Sequence, residues 1–408
     1  MRYGIGTAFV IFALAAACAK PAKAPEGILF QDDLAFLKAH TKVVVLSGTD
    51  GLAQVAVNPD IQGRVMTSTA GGPGGPSFGW INREALSSGV NNPHMNAFGG
   101  EDRFWLGPEG GQFSIFFKKG DPFDLDHWWT PPAVNEGSFD VTAQDSNRIH
   151  FRKTIRLVNY SGTAFDLEVN REVRLLGAAE VMALGVPVPA GVKMVAYASD
   201  NAITNTGANA WTKDTGLLSI WILGMFNPSP ATTIVIPFKS GPESELGPAV
   251  NDAYFGKVPA DRLVVKDGVL FFSGDGKYRS KIGISPARVK PFAGSYDAAN
   301  RVLTLVHLTV PEGAADYVNS MWEIQERPFA GDVVNSYNDG PASPGAKPLG
   351  PFYELETSSP AAALAPGETL THVHTTMHIT GPEKVLDEIA RKVLGVGLEE
   401  IGKAFGKK

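Results

Sequence analysis

The chain has 408 residues, 44% of them apolar and 19% charged, with a formal net charge of -6 and an acidic pI near 5.8. A chain of that length buries a large core, and its composition is that of an ordinary globular protein rather than a disordered one. No Lys- or Arg-rich stripe gives the electrostatic footprint of a nucleic-acid binder, so nucleic acid is excluded as an expected partner.

The N-terminal stretch MRYGIGTAFVIFALAAAC has a positive start at Arg2, an apolar run from Ile5 to Ala17 and small residues before Cys18. The run is too short to span a bilayer and has the layout of a secretory signal. Cys18 is the only cysteine, so no disulfide can hold the mature fold. Its position after Ala15-Ala16-Ala17 resembles a bacterial lipoprotein box, in which the cysteine is lipidated; cleavage at an A-x-A site is the alternative. The expected organisation is a signal over 1–17, an Ala-, Pro- and Lys-rich tether over 18–30 and one domain over 31–408. Such a protein is exported and lipid-anchored at the bacterial cell envelope, and is expected as a monomer.

Within the domain, QDDLAFLKAH reads as a helix and KVVVLS as the first strand. RIHFRKTIRLV and FDLEVNREVRLL form a hairpin around NYSGT, and Phe165, Leu167 and Val169 alternate with polar neighbours as in a half-buried strand. Asp267-Gly268 signals a second hairpin between RLVV and VLFF. RVLTLVHLTV and ETLTHVHTTMHI repeat the pattern. With 45 Gly and 29 Pro punctuating these strands at short intervals, a mostly β protein built as a large antiparallel sandwich is expected, rather than alternating β-α units. The tail, residues 382–406, reads as a helical cap on the sandwich: Pro382 suits a first turn, and Val385, Leu386, Ile389, Val393 and Leu394 form one apolar stripe.

Several stretches carry candidate chemistry. GGEDRFWLGPEGG, residues 99–111, sets Glu101, Asp102 and Arg103 between paired glycines and the aromatic pair Phe104 and Trp105. Charge concentrated where glycines need close approach and aromatics need burial is a local conflict of the kind found at functional sites. DLDHWWTPP adds His127, Trp128 and Trp129. Arginine offers a rigid fork of donors and histidine titrates near neutral pH, while Trp105, Trp128 and Trp129 suit either pyranose stacking or core filling. Glu354, Glu356 and Ser358 share one face of an extended segment and Tyr353, Leu355 and Thr357 the other, so two carboxylates line one groove or one solvated face.

Lys277, Arg279, Lys281, Asn319, Trp322, Asn335, Asn338 and Asp339 lie in turn-rich sequence and suit hydrogen bonds to sugar hydroxyls. Asn338-Asp339-Gly340 reads equally as a plain turn. GDGKYRSK lacks the spacing of a phosphate loop. His372, His374 and His378 share one face of the last strand, but His378 stands about 13 Å along it from His374, too far for one ion. That face is expected at the surface, with no metal and no cofactor; His94, His150 and His307 carry no role.

FYELETSSPAAALAPGETLTHVHTTMHI, residues 352–379, resembles the C-terminal part of galactose mutarotase-like proteins. The resemblance implies a β-supersandwich and a carbohydrate partner. It also implies a base at Glu356, the second residue of the pair Leu355-Glu356, and an acid at His127. Arg103, with Glu101 and Asp102 beside it, would hold the sugar. The contexts GGEDRFW and DHWWTPP depart from the A-N-R-I and H-G-G of that superfamily. In its chemistry a base removes the O1 proton while an acid protonates the ring oxygen, and the ring opens. The stretches FFSGDGKYRSKIGISP, SMWEIQERPFAGDVVNSYNDG and LGPFYELETSSPA, with GGEDRFWLGPEGG, resemble a family of uncharacterised exported bacterial proteins within the same superfamily.

The function expected is carbohydrate binding with mutarotase- or epimerase-like action at the anomeric centre. A non-catalytic glycan-binding lipoprotein is one alternative. A glycoside hydrolase or lyase, with Glu356 paired to Glu101 or Asp102, is another. The leading reading predicts that Arg103, His127 and Glu356 converge in one cavity, with at least one of Trp105, Trp128 and Trp129 in its wall; a Glu356 far from both others would end the carry-over of mutarotase roles.

Overall fold

Strand is the main regular structure of this chain, and each strand finds an antiparallel neighbour. The computed structural model describes residues 27–406. The signal segment, Cys18 and most of the tether lie outside the described residues.

The helix Phe30–His40 leads into β1 (Val44–Ser47), β2 (Gln54–Asn58) and β3 (Arg64–Thr69), a three-stranded meander. Then come β4 (Arg103–Gly107), β5 (Asp140–Gln144), β6 (Arg148–Val158), β7 (Ala164–Leu175) and β8 (Lys193–Asn205). The middle of the chain supplies β9 (Ser219–Phe226), β10 (Thr232–Pro237), β11 (Leu263–Lys266) and β12 (Val269–Ser273). The rest are β13 (Ser280–Ile284), β14 (Phe292–Asp297), β15 (Val302–Leu308), β16 (Val334–Asn338), β17 (Tyr353–Ser358) and β18 (Thr369–Thr380).

Ten strands form one sheet in the order β11-β12-β10-β14-β15-β18-β8-β7-β6-β5, and five form a second in the order β13-β16-β17-β9-β4. Apolar side chains of both fill the space between them: Phe165, Leu167 and Val169 of β7 share a core with Phe104 of β4 and Ile222 of β9, and Ile234 and Phe272 share another with Ile282 and Leu355. This is the mostly β antiparallel sandwich expected from the sequence.

The expected hairpins form for the expected reasons. β6 and β7 pair from Val158 opposite Ala164 outward, and the Asn159 side chain accepts a hydrogen bond from the Thr163 amide at 2.8 Å to close the loop. Between β11 and β12, Asp267 and Gly268 take φ values of 51° and 77°, the left-handed pair that matches the twist of the flanking strands.

In β18, Met377 and Ile379 face outward beneath the C-terminal helices, whereas His372, His374 and His378 face the interior and are fully buried. The expectation of a surface histidine face is therefore corrected: β18 is a central strand, flanked by β15 and β8, and both its faces are covered. The Thr357 hydroxyl sits 2.8 Å from His372 Nε2 and 2.8 Å from His374 Nδ1, so it donates to one ring and accepts from the other. Burial pushes His372 down to about 3 and His374 to about 4, and both rings are neutral at pH 7.

The tail forms two helices, Glu383–Leu394 and Leu398–Gly402, rather than one. Gly395, at φ 77°, ends the first in the left-handed cap that glycine favours. Leu386, Ile389 and Leu394 of the expected stripe are buried on the outer face of the ten-stranded sheet, each burial worth about 1.5–3 kcal/mol.

Candidate functional site

The five-stranded sheet positions the site because its strands alternate. Phe104, Ile222, Ile282 and Leu355 point into the inter-sheet core, which leaves their neighbours Arg103, Trp105, Trp221, Leu223, Lys281 and Glu354 on the opposite face. Pairing sets these in rows. Met225, Glu354, Tyr337 and Lys281 stand side by side across β9, β17, β16 and β13. One row over, Arg103, Leu223, Glu356 and Asn335 do the same across β4, β9, β17 and β16. The cavity above this face has a volume of ≈ 480 Å³, and Glu109, Trp128, Trp322, Phe255, Arg279, Asp339 and Phe352 complete its walls.

The floor is an array of buried charges. Arg103 Nη2 donates to Glu354 Oε1 at 3.2 Å, and its guanidinium lies 4.1 Å from the centroid of the Trp105 ring. Lys281 Nζ and Trp221 Nε1 both donate to Glu356 Oε2, at 3.0 and 2.9 Å. Burial, opposed by Arg103 and reinforced by the neighbouring Glu356, pushes the Glu354 carboxyl up to about 8. Burial also raises the Glu109 carboxyl, which hydrogen-bonds Trp322. Burial alone would pull the Lys281 ammonium down, but the carboxyls of Glu356, Glu109 and Glu354 outweigh it and hold it above its ordinary value. Two cavity-facing carboxyls with raised affinity for protons, flanked by fixed cations and aromatic walls, can give and take protons on a bound ring.

Of the residues singled out in the sequence, Arg103, Trp105, Trp128, Arg279, Lys281, Trp322, Asp339 and Glu354 meet in this cavity. Glu356 does not line it: its side chain is fully buried in the floor with one oxygen held by Lys281 and Trp221. His127 stands outside altogether. It ends a short turn of helix, Leu125–His127, with a side chain 41% exposed, and its Nδ1 lies 2.6 Å from Asp124 Oδ1, whose hydrogen bond raises the imidazole pKa. Trp129 stacks on His94 at 3.7 Å between ring centroids and is absent from the lining.

The charge cluster that opens β4 splits three ways. Gly99 and Gly100, at φ 87° and 113°, turn the chain so tightly that a Cβ on Gly99 would meet the Trp80 carbonyl oxygen at 2.1 Å. Past that turn, Glu101 runs into the interior and accepts from Ser68, Tyr197 and His378. Asp102 pairs with Arg171 at 2.6 Å, both side chains fully buried. Only Arg103 reaches the cavity, so Glu101 and Asp102 are corrected from sugar contacts to interior anchors. Asn338 is neither turn nor sugar contact: it ends β16, accepting from the Gly276 amide at 2.8 Å and donating to the Tyr278 carbonyl at 2.9 Å.

Sequence reasoning missed Glu109, Trp221, Tyr337 and His94 as cavity residues. Glu109 lies in GGEDRFWLGPEGG between Pro108 and Gly110, where nothing local distinguishes it from a turn carboxylate. Trp221 sits in a continuous apolar strand, SIWILGMF, where no local pattern marks it.

Residues 28–405 match the model of a family described as a family of unknown function, DUF6786. Among solved structures, the chain is similar to the Slr1438 protein from Synechocystis sp. PCC 6803, with 12% identity, a TM-score of 0.50, and coverage of 84% of this chain and 96% of that one. It is also similar to a galactose mutarotase-like protein from Lactobacillus casei ATCC 334, at 9% identity, a TM-score of 0.46 and coverage of 83% and 100%. A galactose mutarotase related enzyme from Lactobacillus acidophilus aligns at 10% identity, a TM-score of 0.44 and coverage of 83% and 97%. At these identities the likeness is one of fold. No curated protein matches the sequence.

Proposed function

The chain belongs to the DUF6786 family, and from that premise we propose that it is an exported carbohydrate-binding protein that acts on a sugar at its anomeric centre. The observation that carries this reading is Glu354: a carboxyl on the cavity floor, beside Arg103, whose pKa of about 8 lets it hold a proton at neutral pH and release it to a reacting atom. Around it, Trp105, Trp128 and Trp322 give the flat apolar walls, and the polar groups the few fixed hydrogen bonds, that suit a pyranose.

In the proposed reaction Glu109 takes the O1 proton, C1 and O1 form a carbonyl, and the bond between C1 and the ring oxygen breaks. Glu354 delivers its proton to that oxygen. Rotation about the C1–C2 bond and reversal of these steps gives the other anomer and restores both carboxyls. Glu109 and Glu354 thus replace Glu356 and His127 in the roles expected from the sequence. Glu356 keeps a supporting one: its charge, held by Lys281, raises the proton affinity of Glu354.

NMR exchange spectroscopy on aldoses with the wild-type protein is expected to give anomer exchange faster than in buffer, with no reducing ends released from polysaccharides. Released sugar would turn the assignment to hydrolysis. A protein that binds sugars with neither signal is a binding protein.

Export and anchoring are proposed on the signal over 1–17 and on Cys18. Cys18→Ser is expected to move the protein from the membrane fraction into the soluble exported fraction. Unchanged membrane association of that variant sinks lipidation.

A further inference from the structure

Three buried donors of the cavity have no acceptor among the described residues: Trp105 Nε1, Trp128 Nε1 and Arg103 Nε. All three side chains line the cavity, at 3%, 8% and 3% exposure. Indole and guanidinium N–H groups donate only, so whatever satisfies them supplies acceptor oxygens.

The cations point the same way. Lys281 is balanced by Glu356, but the other carboxyl of that strand face, Glu354, holds a proton at neutral pH and leaves Arg103 without an ionised partner there. Arg279 makes no ion pair among the described residues; it lies 3.7 Å over the Phe255 ring, in the cavity wall. Asp339, whose field reaches Arg279, has one oxygen taken by the Tyr337 hydroxyl and the other by the Gly350 amide. The fields of Asp339 and Glu109 reach Arg279, but neither carboxyl forms an ion pair with it among the described residues; an anionic substituent gives its fork of donors a direct partner, which a neutral sugar does not.

We infer that the ligand is a pyranose bearing a negatively charged substituent, a carboxylate or a phosphate ester, which Arg279 pairs with while the free N–H groups of Trp105, Trp128 and Arg103 bind its oxygens. The inference rests on the carbohydrate reading above and narrows its substrate class.

The test compares dissociation constants of each acid with its neutral parent: galacturonate with galactose, glucuronate with glucose, and glucose 6-phosphate with glucose, by titration calorimetry on the wild-type protein and on Arg279→Gln. At least one acid is expected to bind about tenfold or more tighter than its parent, as one charge-assisted hydrogen bond gives. In Arg279→Gln that ratio is expected to fall towards unity. The ratio is the readout, so a general loss of folding affects both ligands and cancels.

A preference for the uronates alone identifies the carboxylate, and one for the phosphate alone the ester; either supports the inference. Equal binding of acid and parent by the wild-type protein overturns it and leaves the carbohydrate reading standing. A preference that Arg279→Gln retains in full also overturns it. If neither acids nor parents bind, the carbohydrate reading falls too.

Discussion

Glu354→Gln is expected to slow anomer exchange by roughly a hundred-fold or more, the usual contribution of a positioned acid or base, while a bound sugar is still held. Glutamine keeps the shape of the side chain and its hydrogen bond with Arg103 but has no proton to transfer to a ring oxygen. The pH profile carries the sharper signature. An acid works in its protonated form, so the wild-type rate is expected to hold at neutral pH and to fall as pH rises through about 8, where Glu354 ionises. That alkaline limb should vanish from the residual rate of Glu354→Gln.

Glu356→Gln separates the two carboxyls of β17. Removing the Glu356 charge removes one of the influences that raise Glu354, so the limb should move to lower pH. A lost reaction with an unmoved limb would return Glu356 to the role of base.

The second large effect concerns stability. Asp102→Ala is expected to cost about 3–5 kcal/mol, because it strands a buried guanidinium rather than merely deleting a contact. Arg171 bridges the two sheets from β7: it donates to Asp102 at 2.6 Å, to the Gly63 carbonyl at 3.1 Å and to the Asn201 side chain at 2.5 Å. Without the Asp102 carboxylate its charge is fully buried with no ionic partner among the described residues. Urea unfolding measures the loss, with Asp102→Asn as the comparison that keeps an acceptor in place and costs less. A loss under about 1 kcal/mol for Asp102→Ala would mean that Arg171 finds another partner or reaches solvent.

These expectations mark where local pattern stops carrying information. The hairpin of β6 and β7, the turn at Asp267-Gly268 and the apolar stripe of the tail were legible because each is set within a dozen residues, by alternation, turn chemistry or helical spacing. So was the shared face of Glu354 and Glu356, which follows from the period of a strand alone. Which of the two opens to the cavity was not legible: it depends on Lys281 and Trp221, contributed by β13 and β9, closing over Glu356. The run Glu101, Asp102 and Arg103 correctly signalled conflict, but two of its three charges anchor the interior through partners on β3, β7, β8 and β18. The buried histidines of β18 were misplaced because a polar face reads as solvent-exposed unless its covering sheet is known. His127 was chosen by residue type and order in the chain, and neither fixes where a side chain points.

The cavity joins two kinds of structure. Its floor is carried by paired strands: Glu354 has a ladder on either side, and Arg103 and Lys281, on the two edge strands, have one each. Its walls come from connections between strands: Glu109 and Trp128 from the segment after β4, Phe255 from the one after β10, Trp322 from the one after β15, and Asp339 and Leu349 from the one after β16. In descent, such a division separates two rates of change. Wall segments can lengthen, shorten or exchange residues across a lineage and so reshape the cavity above an unchanged floor. A change in the floor disturbs the strand pairing that holds its charges in rows.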